Sequence, residues 1–410
     1  VLSSVQRFLP RLRHWLGQRQ AMLMRLSARC RPWQSIVILV MASPPLLLQA
    51  RVVSVPDLHG DYDRAVQILS AANLIDPQTL AWVGGAATLV QTGDIVDRGD
   101  NGLPIYKLFR SLSDQAQKAG GAVVNLIGNH ELMNIQEDLR YVTDGDAQTY
   151  GGWPKRSESW SPGGELGSWL RKQKAVAKVG RVLFVHAGLH PSFLEGGRTI
   201  DDVNKDFQQA IAADGHPREP HLANLLQDEG PVWTRFFAEA PSPEVCTAVS
   251  DVLKKTDTVR MVVGHTIQVS DDGSTYRAKP VCEGSLILGD TGISRAYGGA
   301  MSFIEHDGEG GAVAKYPAEN PGEDMLQFVL PGNLPTASLK ETSQRVPESP
   351  KLRTPPKEHL PVQPTVLQGN HTPEGGQSSF FSISMFMLLL VAAAFIFAVF
   401  CLRGRKQRST

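Results

Sequence analysis

The sequence predicts an α/β fold, a layered sheet with helices between its strands, and two observations carry that expectation. Short β-branched runs recur between residues 51 and 263, with helical patterns between several of them. Each run gives way at once to a turn rich in Gly, Asp, His or Asn. Strands alternating with helices build layered α/β sheets. In such sheets, ligands collect at the carboxyl ends of strands.

Arg51–Val55 is the first such run, β-branched and ending in a polar cluster as a buried strand should. Ala87–Gln91, Ala122–Ile127, Arg181–Val185 and Val259–Val263 repeat it. Asp63–Asn73 and Gly102–Lys118 carry helical patterns between the earlier runs. The alternation fades after about residue 310, so the globular domain is expected over residues 51–310.

The flanks read differently. Residues 1–56 hold no Asp or Glu but include Arg7, Arg11, Arg13, Arg25 and Arg29, so 1–50 reads as a leader. Its apolar run at 36–50 contains Pro44 and Pro45, which suits a signal-peptide core better than a membrane span. A transit peptide is the alternative. Residues 311–379 are Pro-rich, with no aromatic residue from Leu330 to Ser379, and read as a disordered linker. Residues 380–402 form an uncharged run of 23 residues, spanning roughly 34 Å as a helix. A single transmembrane helix is expected there, followed by a basic tail at 403–410 with Arg403, Arg405, Lys406 and Arg408.

Three features favour an endomembrane location with a lumenal globular domain: the leader's layout, the basic tail, and the sequon Asn370-His371-Thr372. Without a cleaved leader, the helix is a tail anchor and the domain faces the cytosol; a transit peptide implies an organelle. Acids and bases balance at 41 each in 410 residues, so no global field draws the chain to nucleic acid. None of Cys30, Cys246, Cys282 and Cys401 has CxxC spacing, which argues against a cysteine zinc site. Cys246 and Cys282 either pair in an oxidising compartment or stand as separate buried thiols.

Five blocks carry chemistry: Asp57-Leu58-His59-Gly60-Asp61, Gly93-Asp94-Ile95-Val96-Asp97-Arg98-Gly99, Gly128-Asn129-His130-Glu131, Val185-His186-Ala187-Gly188 and Gly264-His265-Thr266. A lone His or a lone DxxD after a strand is most often structural. Five such blocks, each at a strand end, point instead to a metal site. Carboxylates bridge cations, imidazole suits Zn, Fe or Mn, and a neutral amide oxygen completes a site without excess charge.

These blocks resemble the metallophosphoesterase (calcineurin-like) superfamily, and within it the phosphoprotein phosphatase branch with GDxHG, GDxVDRG and GNHE. The HAGLHP block, Gly230–Arg235 and Asp290–Ser294 followed by Tyr297-Gly298-Gly299 look like the Shewanella-like phosphatases. The resemblance covers roughly residues 51–306. It implies a layered metallophosphoesterase sandwich of mixed β-sheets flanked by helices, with two metal ions, of Mn, Fe or Zn. Asp57 and His59 would hold the first, Asp94 would bridge both, and Asn129, His186 and His265 would hold the second. His130 would be the general acid, Asp97 its orienting carboxylate, and Arg98 and Arg235 the phosphate-gripping arginines. The implied reaction is hydrolysis of phosphomonoesters on proteins, at Ser/Thr or Tyr, by a two-metal activated water.

Two positions depart from the family pattern: Pro56 stands where Gly is usual, and Ala187 stands where many relatives have Gly. Neither removes a ligand. Two other functions compete: a dinucleoside polyphosphate hydrolase, and a non-catalytic membrane scaffold that binds phosphoproteins. His190, His216, His221 and His306 read as surface or capping residues, and Trp153, Trp160 and Trp169 as core. Asp290 and Tyr297 are candidate substrate contacts.

Overall fold

A computed structural model of the chain describes residues 51–238, 242–319 and 323–332. The expected leader, the membrane run at 380–402 and the basic tail lie outside the described residues, as does the linker beyond residue 332. Among the described residues, no helix is long and apolar enough to cross a membrane.

The first sheet is built from the expected runs. Strand β1 (Val52–Val55), helix α1 (Tyr62–Ala71), β2 (Thr88–Gln91), α2 (Gly102–Lys118) and β3 (Ala122–Asn125) follow in order. The three strands are parallel, with Val52 opposite Thr88 and Thr88 opposite Ala122. Their carboxyl ends therefore share one sheet edge. Helix α2 buries Ile105, Leu108, Phe109, Leu112 and Ala116, the stripe that helical spacing puts on one face. Four short helices come next: α3 (Asn129–Ile135), α4 (Asp144–Thr149), α5 (Trp153–Trp160) and α6 (Glu165–Leu170).

The second sheet begins with a hairpin of β4 (Val176–Val179) and β5 (Val182–Val185). Helices α7 (Ile200–Ala210), α8 (Pro220–Ala223) and α9 (Pro243–Thr256) precede β6 (Arg260–Val263), β7 (Lys279–Val281) and β8 (Leu286–Leu288). The strand order is β4-β5-β6-β8-β7, with β5, β6 and β8 parallel. The chain then returns to the first sheet. There β9 (Phe303–His306) lies antiparallel to β1, followed by β10 (Ala312–Tyr316) and β11 (Leu326–Leu330).

Side-chain alternation divides the core into layers. Val52, Val90, Phe184, Val262, Ile287 and Ile304 form one apolar cluster with members from both sheets. Val53, Val55, Leu89, Leu183, Val185 and Met261 point to the opposite faces and pack with helix residues such as Ile68, Phe109, Phe207 and Val249. Strands covered on both faces carry continuous apolar runs, which is why those runs stood out in the sequence.

The structure corrects the expectation at several points. The sheet continues past residue 310 through β10 and β11, into the segment expected to be linker. Ala312, Ala314 and Tyr316 face the core while Val313 and Lys315 do not. A short alternating strand on small residues is a weak signal beside the buried runs. His306 is a core residue, not a surface one: it is 2% exposed, and its Nε2 lies 2.9 Å from Ser54 Oγ. Trp153 departs from the core reading at 40% exposed. Trp160 is buried and Trp169 half-buried against the core, while His190 caps the turn at Pro191 and His216 and His221 are exposed or nearly so. Between the two readings of the cysteines, the structure selects pairing: Cys246 of α9 and Cys282 after β7 form a disulfide, with Cα atoms 5.2 Å apart.

Candidate metal centre and active site

The strand ends of both sheets bring the predicted residues together. Asp57 and His59 follow β1, Asp94 to Arg98 follow β2, and Asn129 and His130 open α3 after β3. His186 follows β5 and His265 follows β6. Asp57, His59, Asp94, Asp97, Asn129, His130, His186 and His265 are all buried. Arg98 and Arg235 are half-buried at the rim.

The turns that hold these groups are strained. His59, Asp94, Asp97, Arg98 and His265 all have positive φ, between 41° and 70°. Each costs on the order of 1 kcal/mol for a residue with a Cβ. The loops also crowd so closely that some positions must be glycine. A Cβ on Gly128 would stand 2.1 Å from Asp94 Oδ1, and one on Gly264 would stand 2.2 Å from Asp57 Oδ1.

Asp94 is the centre. Its Oδ2 lies 3.4 Å from His186 Nε2, 3.6 Å from His59 Nε2 and 4.0 Å from His130 Nε2. Two groups could each hold an ion and share Asp94: His59 with Asp94 and His130, and Asp94 with His186 and His265. The imidazoles are oriented from behind. His59 Nδ1 is 3.0 Å from the Val96 carbonyl, and His186 Nδ1 is 2.9 Å from the Thr92 carbonyl. His265 is reversed, with Nε2 at 3.1 Å from the Trp233 carbonyl. A nitrogen facing a carbonyl carries the proton, so in the neutral ring the opposite nitrogen turns a lone pair inward. Asn129 Oδ1 then lies 2.9 Å from His186 Nε2 and 2.9 Å from His265 Nδ1. Acceptors aimed at one another repel unless a cation sits among them, so this donor set fits a metal ion.

The buried carboxylates and the lowered imidazoles of His59 and His265 agree with that fit. Burial pushes the Asp57 carboxyl well up, and neighbouring Asp290 and Asp94 add to the shift. Burial likewise raises Asp290 to about 7. Burial also opposes charge on Asp94, yet the imidazoles of His186, His130 and His59 hold it well below the usual carboxylate range. Burial lowers His59 to about 3 and holds His265 well down, with His130 and His186 respectively adding to the effect. For His130 and His186 burial works the same way and is the largest single effect, but Asp94 together with Asp97 and Glu131 at His130, and with Glu131 and the Thr92 carbonyl at His186, outweighs it, and both are raised. Buried carboxylates clustered this way are costly without a cation.

His130 stands beside this centre. Its Nδ1 donates to Asp97 Oδ2 at 2.7 Å, leaving Nε2 toward the site. The Arg98 guanidinium lies 3.8 Å from the centre of the Tyr141 ring, and among the described residues its buried Nε has no hydrogen-bond acceptor. Arg235 Nη1 donates to Thr266 Oγ1 at 3.2 Å. Tyr297 packs edge-on to His59, with ring centres 5.0 Å apart.

Sequence reasoning gave no role to Glu131, Asn134, Tyr141 or Arg156. Glu131 accepts from the amides of Asp94, Ile95 and Gly128 and from Tyr106 Oη, so it locks the β2 and β3 loops together. Its place in GNHE was a usable signal. Tyr141 and Arg156 lie in no motif.

A family model described as calcineurin-like phosphoesterase matches residues 50–269. Shewanella-like protein phosphatase 2 of Arabidopsis thaliana is 30% identical over 291 residues, 60% of this chain and 72% of its own length. Shewanella-like protein phosphatase 1 of Plasmodium berghei is 30% identical over 251 residues, covering 60% and 67%. The solved cold-active protein-tyrosine phosphatase of a psychrophilic Shewanella superposes with a TM-score of 0.58 at 26% identity, covering 68% of this chain and 80% of that one. The chain therefore belongs to the calcineurin-like phosphoesterase family, with Shewanella-like phosphatases among its relatives, and is a phosphatase.

Proposed function

We propose that this phosphatase acts on phosphoproteins, at Ser/Thr or Tyr, with two metal ions of the Mn, Fe or Zn class. Asp57 and His59 would hold the first ion, Asn129, His186 and His265 would hold the second, and Asp94 would contribute to both. The observation that carries this reading is the convergence of Asn129 Oδ1 on the inward nitrogens of His186 and His265, at 2.9 Å each. When bound, the ions supply Lewis acidity to the attacking water and to the phosphoryl group.

The chain's own residues supply the rest. Arg98 and Arg235 donate to the phosphoryl oxygens as charge builds on them. Among the described residues, Arg98 Nε has no acceptor. His130 delivers a proton from Nε2 to the leaving oxygen, while Asp97 retains Nδ1–H and fixes the ring. The phosphoprotein substrate rests on relatives named as protein phosphatases. The test is metal analysis of the full chain with a panel of phosphopeptides and dinucleoside polyphosphates. Turnover of phosphopeptides is expected. Turnover of dinucleoside polyphosphates alone would make it an anhydride hydrolase. Phosphopeptide binding without any turnover would make it a scaffold.

The second part of the proposal concerns location. The leader at 1–50, the linker and the run at 380–402 make a single-pass membrane protein of the endomembrane system, with its catalytic domain lumenal. The Cys246–Cys282 disulfide supports an oxidising compartment. Protease protection of sealed microsomes with glycosidase treatment tests it. A catalytic domain digested without detergent, and with no glycan, would turn the protein to the cytosol.

A further inference from the structure

A line of buried polar side chains runs from the helical segment after β3 to the general-acid pair. Asp146 of α4 and Arg156 of α5 are 1% and 2% exposed. Arg156 Nε donates to Asp146 Oδ2 at 2.7 Å, and Nη2 donates to Asn134 Oδ1 at 2.6 Å. Asn134 Nδ2 donates to Asp97 Oδ1 at 2.9 Å and to the His130 carbonyl at 2.8 Å. Asp97 Oδ2 receives His130 Nδ1–H. The rings of Tyr150 and Trp160 flank the guanidinium, 5.5 and 5.1 Å away.

The chemistry of each group leaves this line one sense. A guanidinium only donates, so the Asn134 oxygen must face Arg156. The Asn134 amide nitrogen must then face Asp97, which accepts only. Both Asp97 oxygens are thereby held, one by Asn134 and one by His130, and the carboxylate plane is fixed. Asn134 also grips the His130 carbonyl, so ring and backbone are set together. Burying a full ion pair costs more than a packed apolar pair of the same size, so stability alone does not call for it.

We infer that Arg156, acting through Asn134, is a positioning residue that aims the His130–Asp97 pair at the leaving group. This rests on the proposed role of His130 and adds to it a control from outside the strand-end motifs. Among the described residues, the partners of the Arg156 guanidinium are Asp146, Asn134, Tyr150 and Trp160, none of them a proposed metal ligand.

The experiment uses the full chain with its metals quantified, a phosphoserine peptide and an aryl phosphate. The aryl phosphate needs little protonation of its leaving group. Wild type and His130→Asn come first: if His130→Asn lowers turnover equally on both substrates, the general-acid reading fails, whatever Arg156 does. If peptide turnover falls more, Arg156→Met with Asp146→Asn follows, so that no buried charge is left alone. The pair of changes should lower kcat on the peptide about 10- to 100-fold, with KM and metal content unchanged and a much smaller loss on the aryl phosphate. Added to His130→Asn, it should cost less than about twofold more, because both changes remove one function. Equal losses on the two substrates, or full additivity with His130→Asn, would overturn the inference. Should that protein fail to fold, Asn134→Leu keeps the Arg156–Asp146 pair, cuts the link, and is judged by the same two ratios.

Discussion

Nδ1 of His130 lies 2.7 Å from Oδ2 of Asp97, and both side chains are shielded from water. A carboxylate on Nδ1 leaves Nε2 as the nitrogen that exchanges a proton with substrate. His130→Asn should therefore lower turnover of phosphoserine peptides by about two to four decades while metal content holds. Steady-state rates beside elemental analysis check this. Loss of metal with the rate would make His130 a ligand instead.

Gly264 is tested by adding one carbon. Its Cβ would stand 2.2 Å from Asp57 Oδ1, and the Asp57 carboxylate also accepts from the His265 amide at 3.0 and 3.2 Å. Gly264→Ala should displace Asp57, so metal stoichiometry and activity fall together while circular dichroism is unchanged. Full metal content and activity would show that the loop yields at no cost.

The disulfide predicts a stability effect separate from catalysis. Cys246 and Cys282 are 36 residues apart, and closing a loop of that length is worth about 4 kcal/mol on the chain-entropy model. Cys246→Ser with Cys282→Ser should lower stability by that order and leave kcat unchanged well below the melting temperature. Denaturant unfolding of the non-reduced proteins measures it. A loss of kcat in the folded variant would tie the bridge to the active site.

His306 sets a pH dependence. Burial lowers it to about 3, against an unfolded value near 6.5. Between those values the unfolded chain binds the extra proton, so stability falls as pH falls through that window. The loss approaches a few kcal/mol at the acid end. His306→Gln should keep the contact to Ser54 and remove this slope. Unfolding free energies of both proteins from pH 7 to 4 should converge toward acid. Parallel curves would contradict the assignment.

The site was legible in the sequence to the extent that its chemistry sits on single turns. Each ligand block follows a buried strand, and a strand covered on both faces is a continuous apolar run that announces its own end. Arg156, Asn134 and Asp146 gave no such signal. Their meeting depends on Arg156 of α5 reaching both Asp146 of α4 and Asn134 of α3, a tertiary event with no local periodicity. His306 was misread because Phe303–His306 mixes apolar and polar residues, and only pairing with β1 shows which face is inward. Strands β10 and β11 give a weaker signal because each is only five residues long and pairs at the sheet edge beyond the motif-bearing strands, with alternate side chains turned away from the core. The Cys246–Cys282 pairing was one of two open readings, since spacing says nothing of distance.

The most direct test of the account is Asp94→Asn, with metal content and turnover measured on the same sample. Asp94 faces both ligand groups, with His186 and His59 at 3.4 and 3.6 Å. Loss of its bridging charge should strip metal and lower the rate by at least about three decades. A substituted protein that kept its metals and its rate would contradict a shared two-metal centre.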